Sequence, residues 1–230
     1  MDKIFTKNIE HESAVKHVTG KAIYTDDISE PKNLLHAVIG YSNCSKGVIK
    51  KIDYKDVLSS EGVVDIITEK DIEGMNDVGP IFKGDKIFTS KNIEYYGQPI
   101  FAVIAKTNNL AKKAALKVKI DLKISKPIVS IEEALKKKSF VLKPKHLTRG
   151  NIKDGFKKSD NILKGKLYSG GQDHFYLEGQ IAMTIPQEDN NFLVYSSTQH
   201  PSETQQIIGK VLKQNYNSIH VIVRRIGGGF

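Results

Sequence analysis

An α+β fold, or β-helix-β units built onto a sheet, is what this 230-residue sequence predicts. Three observations carry that reading. Short runs of strand character, such as "LLHAVIGYS" and "IFAVIA", recur from one end of the chain to the other. Between them lie short stretches with helical spacing that begin at capping residues. No apolar run approaches the roughly 18–20 residues of a membrane-spanning helix.

Taken in order, "LLHAVIGYS" alternates Leu35, Ala37, Ile39 and Tyr41 against its other positions and reads as a strand. "VIKKID" follows a "SKG" turn, so the two are expected to pair. "YKDVLSSEGVVDIIT" reads as a short helix, a stop at Gly62 and another strand. "IEYYGQPIFAVIA" is a strand interrupted at Gly97 and Pro99, then a fully apolar strand. In "TNNLAKKAALKVKIDLKI", Thr107 or Asn108 caps a helix whose inner face is Leu110, Ala111, Ala114 and Ala115. Val118, Ile120 and Leu122 then alternate as a strand. Ser130 and Glu133 have capping-box spacing and start a short helix. The charged, aperiodic stretch from Lys136 to Asp160 reads as a surface connection with a short helix at "IKDGFKKS". A domain boundary is placed there, near residue 143. Beyond it, "ILKGKLYSGGQDHFYLEGQIAMTIP" and "FLVYSSTQ" read as strands. "HPSETQQIIGKVLKQ" is a helix with Pro201 in its first turn and Ile207, Ile208, Val211 and Leu212 on its apolar side. "SIHVIVRRI" is the last strand.

Composition removes several classes of function. The length suits one or two domains, and 39% hydrophobic residues suffice for a packed core. The single Cys44 excludes an internal disulfide or a cysteine-rich metal cage, and reads as an inert, half-buried thiol beside a turn. The net charge of +9 raises the question of nucleic acid. Yet Arg149, Arg224 and Arg225 are the only arginines, whereas base readout and bidentate phosphate contacts favour Arg. The lysines are spread along the chain among apolar residues, so a solvated lysine surface is expected, with no nucleic-acid partner. The N-terminus lacks a signal-peptide pattern, which makes the cytoplasm the expected location and a membrane an unexpected partner. The first 140 residues show no histidine pair at metal spacing and read as a structural domain.

Two glycine-flanked stretches stand out. In "GGQDHF", Gly170 and Gly171 let backbone approach a ligand closely, and Gln172 follows at once. Its carboxamide carries two donors and one acceptor without charge, so it can donate to an oxo group or carbonyl without titrating. A β-bulge with a surface amide is the alternative. Asp173 and Glu178, five residues apart in a strand, would face opposite ways and make no acid–base pair. His174 is expected to be packed and hydrogen-bonded, and His200 to sit at a helix N-terminus with a cap or a backbone partner as its role. In "RRIGGGF", three successive glycines after a strand expose a run of N–H groups able to wrap an oxyanion or a metal oxo ligand. Neither a Walker loop nor GxGxxG is present there.

The motifs "VTGKAIYTDDI", "LHAVIGYS", "YYGQPIFAVIA", "GGQDHFYLEGQ", "SSTQHPSETQ" and "RRIGGGF" occur in this order. Together they resemble the molybdenum-binding subunit of xanthine dehydrogenase in its bacterial multi-subunit form, a molybdenum hydroxylase. The resemblance implies an α/β hammerhead domain over residues 1–143, with a core of about 17–126. It implies the beginning of a molybdopterin-binding domain, incomplete, over 144–230. It further implies a molybdenum–molybdopterin cofactor, with FAD and iron–sulfur clusters on partner subunits that receive the electrons. The substrate implied is a purine such as hypoxanthine or xanthine, which is oxidatively hydroxylated. Gln172 then occupies the place of the glutamine that approaches an oxo group of molybdenum, as an outer contact and not a direct ligand. Gly228, Gly229 and Phe230 match the first half of the glycine-rich loop that lies against the cofactor.

The same resemblance places the general base and the substrate-orienting arginine beyond residue 230, so no catalytic residue is expected in this chain and the chain alone is expected to be inactive. The remainder of the molybdenum subunit is then a required partner. The alternatives are a non-catalytic hammerhead docking module and an aldehyde oxidoreductase-type hydroxylase. Exposed apolar edges are expected to make the isolated chain self-associate.

Overall fold

The structure, a computed structural model, describes residues 10–229. It divides into two compact units, one formed by residues 1–125 and 175–230, the other by 126–174. Helices and strands are mixed throughout the first unit.

Its N-terminal portion holds two three-stranded sheets. In one, β1 (His36–Tyr41) and β3 (Val63–Ile67) both run antiparallel to the central strand β5 (Pro99–Ala105). β5 is central because it is apolar on both faces: Ile100, Phe101, Ala102, Val103 and Ala105 are all buried. In the other, β2 (Gly47–Asp53) lies between β4 (Asn92–Ile93) and β6 (Lys119–Ile124). The expected β1–β2 pair therefore does not form. After β1 the chain stays bonded to the β5 side: Ser42 N–H donates to the Gln98 carbonyl at 2.9 Å, and Gln98 N–H donates to Ser42 Oγ at 3.1 Å. Only then does the turn carry the backbone across to the second sheet, with Ser125 N–H on the Lys46 carbonyl at 3.0 Å. Cys44 is buried in that turn.

Three helices flank these sheets. α1 (Ala14–Val18) precedes them, and α2 (Lys55–Leu58) leads through Gly62, at φ +72°, into β3. α3 (Asn108–Ala115) is capped by Thr107, whose hydroxyl accepts from Leu110 N–H at 3.3 Å. Ala111 and Ala114 sink its inner face into the core beside Phe101 and Val103, with Leu110 and Ala115 at the margin. Phe101 is fully buried and meets the Tyr54 ring edge-on at 5.2 Å. Burial, and next Asp71, push the Tyr54 hydroxyl pKa up to about 12.

The same unit contains a third sheet, β7 (Ala182–Pro186), β8 (Phe192–Ser196) and β9 (Ile219–Ile222). β7 and β8 are antiparallel, whereas β9 is parallel to β8 and reached through α6 (Pro201–Leu212), the expected β-helix-β unit. Val194 and Ile219 are buried in this sheet, and Gln205 Nε2 donates to the Ile219 carbonyl at 2.8 Å. The C-terminal carbonyls of α6 are satisfied from far away in sequence. Gly74 N–H donates to Val211 O at 2.8 Å and Met75 N–H to Lys210 O at 3.1 Å. A side chain at residue 74 would overlap the Lys210 carbonyl, which is why a glycine stands there.

In the second unit, α4 (Ile131–Lys136) starts at Ser130, whose Oγ accepts from Glu133 N–H at 3.2 Å. α5 (Ile152–Lys158) starts at Asn151, whose Oδ1 accepts from Lys153 N–H at 3.0 Å. Residues 159–174 form no regular element, and 175–181 of the first unit add none. The strand expected over 162–186 is thus confined to Ala182–Pro186. The apolar residues that suggested it, Leu163, Leu167 and Tyr168, are exposed; strand-forming side chains without a paired backbone do not make a strand. Lysines crowd this unit, at 136–138, 157–158, 164 and 166, more densely than an even spread implies.

Candidate functional site: the glycine run after β9

β9 ends at Ile222; Val223, Arg224 and Arg225 follow it, after which Ile226 leads into Gly227, Gly228 and Gly229. Three segments remote in sequence meet this run within the first unit. Gly227 is buried, and its N–H donates to the Ser197 carbonyl at 2.8 Å. Ser197 is itself buried, and its hydroxyl accepts from Ile181 N–H at 3.1 Å, which ties the end of β8 to the segment before β7. A Cβ on Gly227 would lie 2.5 Å from the Gly179 carbonyl oxygen and 3.0 Å from that of Glu178. Only glycine lets the run pass this close to "LEGQ". The "GGGF" run, the "LEGQ" segment and the start of "STQHP" therefore share one corner of the fold.

The expectation of three bare amides is corrected here to two. Gly227 spends its N–H on Ser197, whereas the amides of Gly228 and Gly229 make no hydrogen bond among the described residues. Gly228 sits at φ +95°, which turns the run out of the strand direction. Beside Gly229 lies the side chain of Gln199, whose Oε1 would be 2.5 Å from a Cβ at that position. This pair of amides with a neighbouring carboxamide is a surface of neutral donors that fits an oxygen-rich group, such as the oxo and phosphate oxygens of a molybdopterin cofactor. Phe230 lies outside the described residues.

The N-terminal portion also reaches the site, although its residues were expected to be purely structural. Thr25 N–H and Thr25 Oγ1–H both donate to Glu178 Oε2, at 3.0 and 3.3 Å. Glu178 is only 4% exposed, so this carboxylate is a buried tie and not a surface acid. The premise that Asp173 and Glu178 share a strand is corrected, since neither lies in one. The Arg225 guanidinium stands 5.9 Å from the centre of the Tyr24 ring. Its Nη1 donates to the Arg224 carbonyl at 2.7 Å, while its buried Nε has no partner among the described residues. Tyr24, Thr25, Ser197 and Gln199 were not singled out from the sequence; Glu178 was weighed there as an acid–base partner of Asp173, and Arg225 as one of three arginines. "YTDD", "LEGQ" and "STQ" were visible as motifs, but their convergence requires the fold.

In the second unit, Gly170 and Gly171 have open space where a Cβ would stand, and Gln172 is exposed in an irregular segment. His174, expected to be packed, is exposed. His200 occupies the N-cap position of α6 without a side-chain cap bond; its N–H donates to Thr198 Oγ1 at 3.1 Å. No group of three or more potential metal-ligating side chains occurs among the described residues, and no helix among them is long and apolar enough to cross a membrane.

Residues 19–126 match the family described as the a/b hammerhead domain of aldehyde oxidase and xanthine dehydrogenase, and residues 133–230 match the molybdopterin cofactor-binding domain. The chain is similar to the xanthine dehydrogenase of Dictyostelium discoideum, 37% identical over 98% of this chain. It is also similar to aldehyde oxidase 2 of Rattus norvegicus, 38% identical over 96%. It spans 16% of the length of each of these relatives. The aldehyde oxidoreductase of Desulfovibrio gigas superposes with a TM-score of 0.79 at 25% identity, over 95% of this chain and 26% of that one. Quinoline 2-oxidoreductase from Pseudomonas putida 86 shares the fold, with a TM-score of 0.79 at 19% identity, over 96% of this chain and 30% of that one. The six motifs, the sheets that carry them and these similarities agree: the chain belongs to the aldehyde oxidase and xanthine dehydrogenase family of molybdenum hydroxylases, whose hammerhead domain it carries, followed by sequence of the molybdopterin cofactor-binding domain.

Proposed function

We propose that this chain is the N-terminal part of the molybdenum-binding subunit of a xanthine dehydrogenase-type hydroxylase, a cytoplasmic enzyme that hydroxylates purines such as hypoxanthine and xanthine. Residues 1–143 form its hammerhead domain and 144–230 begin its cofactor-binding domain. The observation that carries this reading is the pair of unbonded amides at Gly228 and Gly229, held in place by the Gly227–Ser197 bond. When bound, the molybdenum cofactor supplies the redox chemistry of oxidative hydroxylation.

The chain's own residues bind and orient. Gly228 and Gly229 present backbone N–H groups to cofactor oxygens. Gln172 supplies an uncharged carboxamide donor that stays a donor at every physiological pH. No residue here serves as general base, so turnover requires the remaining polypeptide of the subunit, together with iron–sulfur and FAD subunits that accept electrons.

The similarity to aldehyde oxidase 2 is as high as that to xanthine dehydrogenase, which favours an aldehyde oxidoreductase-type activity as the second reading. The test is made in the complete complex. Gln172→Ala is expected to lower kcat by about 100-fold with metal and pterin content unchanged. Unchanged kinetics would remove Gln172 from the site, and turnover of aldehydes without turnover of hypoxanthine or xanthine would select the second reading.

A further inference from the structure

We propose that Arg225 is the positioning residue of the glycine run and that Tyr24, on the hammerhead side, holds it in place. This rests on the reading that Gly228 and Gly229 face the cofactor. The run is fixed downstream by one bond, Gly227 N–H to Ser197 O at 2.8 Å. Upstream, nothing in the β9 ladder reaches it, because β9 ends at Ile222. The gap is filled by Arg225. Its guanidinium is held by two contacts, the Tyr24 ring 5.9 Å away and the Arg224 carbonyl 2.7 Å from Nη1.

The second contact joins the side chain to its own main chain. Wherever the cation sits, the peptide between Arg224 and Arg225 must follow, and with it the direction in which the backbone enters Ile226 and Gly227. Tyr24 is in turn fixed. Its N–H donates to Asp27 Oδ2 at 2.9 Å, its hydroxyl lies 3.2 Å from His17 Nδ1, and the next residue, Thr25, is tied to buried Glu178. A flat π-face on a braced turn is a rigid seat for a planar cation, and a glycine run, having no side chains, has no means of orienting itself.

Amide exchange and molybdate titration of the isotopically labelled chain, followed by NMR, test the proposal. Tyr24→Phe keeps the ring and loses the hydroxyl, and leaves exchange at Gly227 within about twofold of the parent. Tyr24→Leu and Arg225→Gln accelerate it roughly three- to tenfold, with the amides of β5 unchanged. Equal exchange in the parent, Tyr24→Leu and Arg225→Gln overturns the proposal, as does acceleration by Tyr24→Phe equal to that of Tyr24→Leu. Should Tyr24→Leu fail to fold, the Arg225→Gln comparison decides alone. Molybdate separates this inference from the reading beneath it. Shifts of the Gly228 and Gly229 resonances in the parent at lower molybdate concentrations than in Tyr24→Leu support both. A parent that ignores molybdate while the exchange contrast holds refutes the cofactor contact and supports the positioning role.

Discussion

Gly227→Ala is the substitution whose cost can be worked most directly from the structure. The added methyl would meet the Gly179 carbonyl oxygen at 2.5 Å, Ser197 Oγ at 2.9 Å and the Glu178 carbonyl oxygen at 3.0 Å. Two of these are backbone atoms and cannot rotate away. Either the packing absorbs the methyl, at about 1–3 kcal/mol for overpacking, or the run lifts off and breaks the 2.8 Å bond to Ser197. Breaking that bond costs about 1 kcal/mol and leaves a buried carbonyl unmet, worth about 1–3 kcal/mol. The first route costs about 1–3 and the second about 2–4 kcal/mol, and they overlap at about 2–3 kcal/mol. With a urea m-value of about 2 kcal/mol/M, the unfolding midpoint falls by about 1 M. Gly170→Ala is the reference, because nothing lies within 4 Å of its Cβ position, and it stays within about 0.5 kcal/mol of the parent. The assay is urea unfolding of the 230-residue chain followed by circular dichroism. If Gly227→Ala and Gly170→Ala unfold at the same urea concentration, the run is not pinned as described.

Three further predictions stand on the same structure. Phe101→Ala empties the fully buried centre of β5 and removes the edge-on contact with Tyr54, costing about 3–5 kcal/mol in the same urea assay; a loss below about 1 kcal/mol would contradict its central place. Tyr54 is raised from 10.0 to about 12, so the native state keeps its proton longer than the unfolded chain. The stability linked to that proton is complete below pH 10 and is lost as pH rises toward about 12; ultraviolet titration is expected to find this tyrosine ionising last, and ionisation near pH 10 would contradict its burial. Finally, Phe140, Val141, Leu147, Leu163 and Leu167 are all more than half exposed, so the isolated chain is expected to self-associate. Size-exclusion chromatography with light scattering reads the mass, and a monodisperse monomer would count against it.

Local chemistry was legible wherever a short-range rule decides. Thr107 and Ser130 cap the helices that their spacing announced, and Pro201 opens α6. The uniformly apolar "IFAVIA" became the buried central strand. Pairing was not legible, because it depends on which strand is the better partner: Ser42 stays with Gln98 on the β5 side, and the expected hairpin opens into two sheets. Nor could "ILKGKLYS" be told from a strand, since its side chains have strand character while its backbone has no neighbour. At the site, the glycine run announced itself through its lack of side chains. Its supports did not, because Thr25 and Glu178, or Tyr24 and Arg225, are ordinary residues until folding makes them neighbours.

The final turn of α6 has a consequence for how this protein comes into being. Its last carbonyls are satisfied by Gly74 and Met75, which a ribosome delivers well over a hundred residues earlier. During synthesis that early loop waits with two idle donors, and the helix, once made, ends ragged until it docks there. Lesions around residue 74 are therefore expected to slow maturation of the distant βαβ unit, so damage at the start of the chain would surface as a defect near its other end.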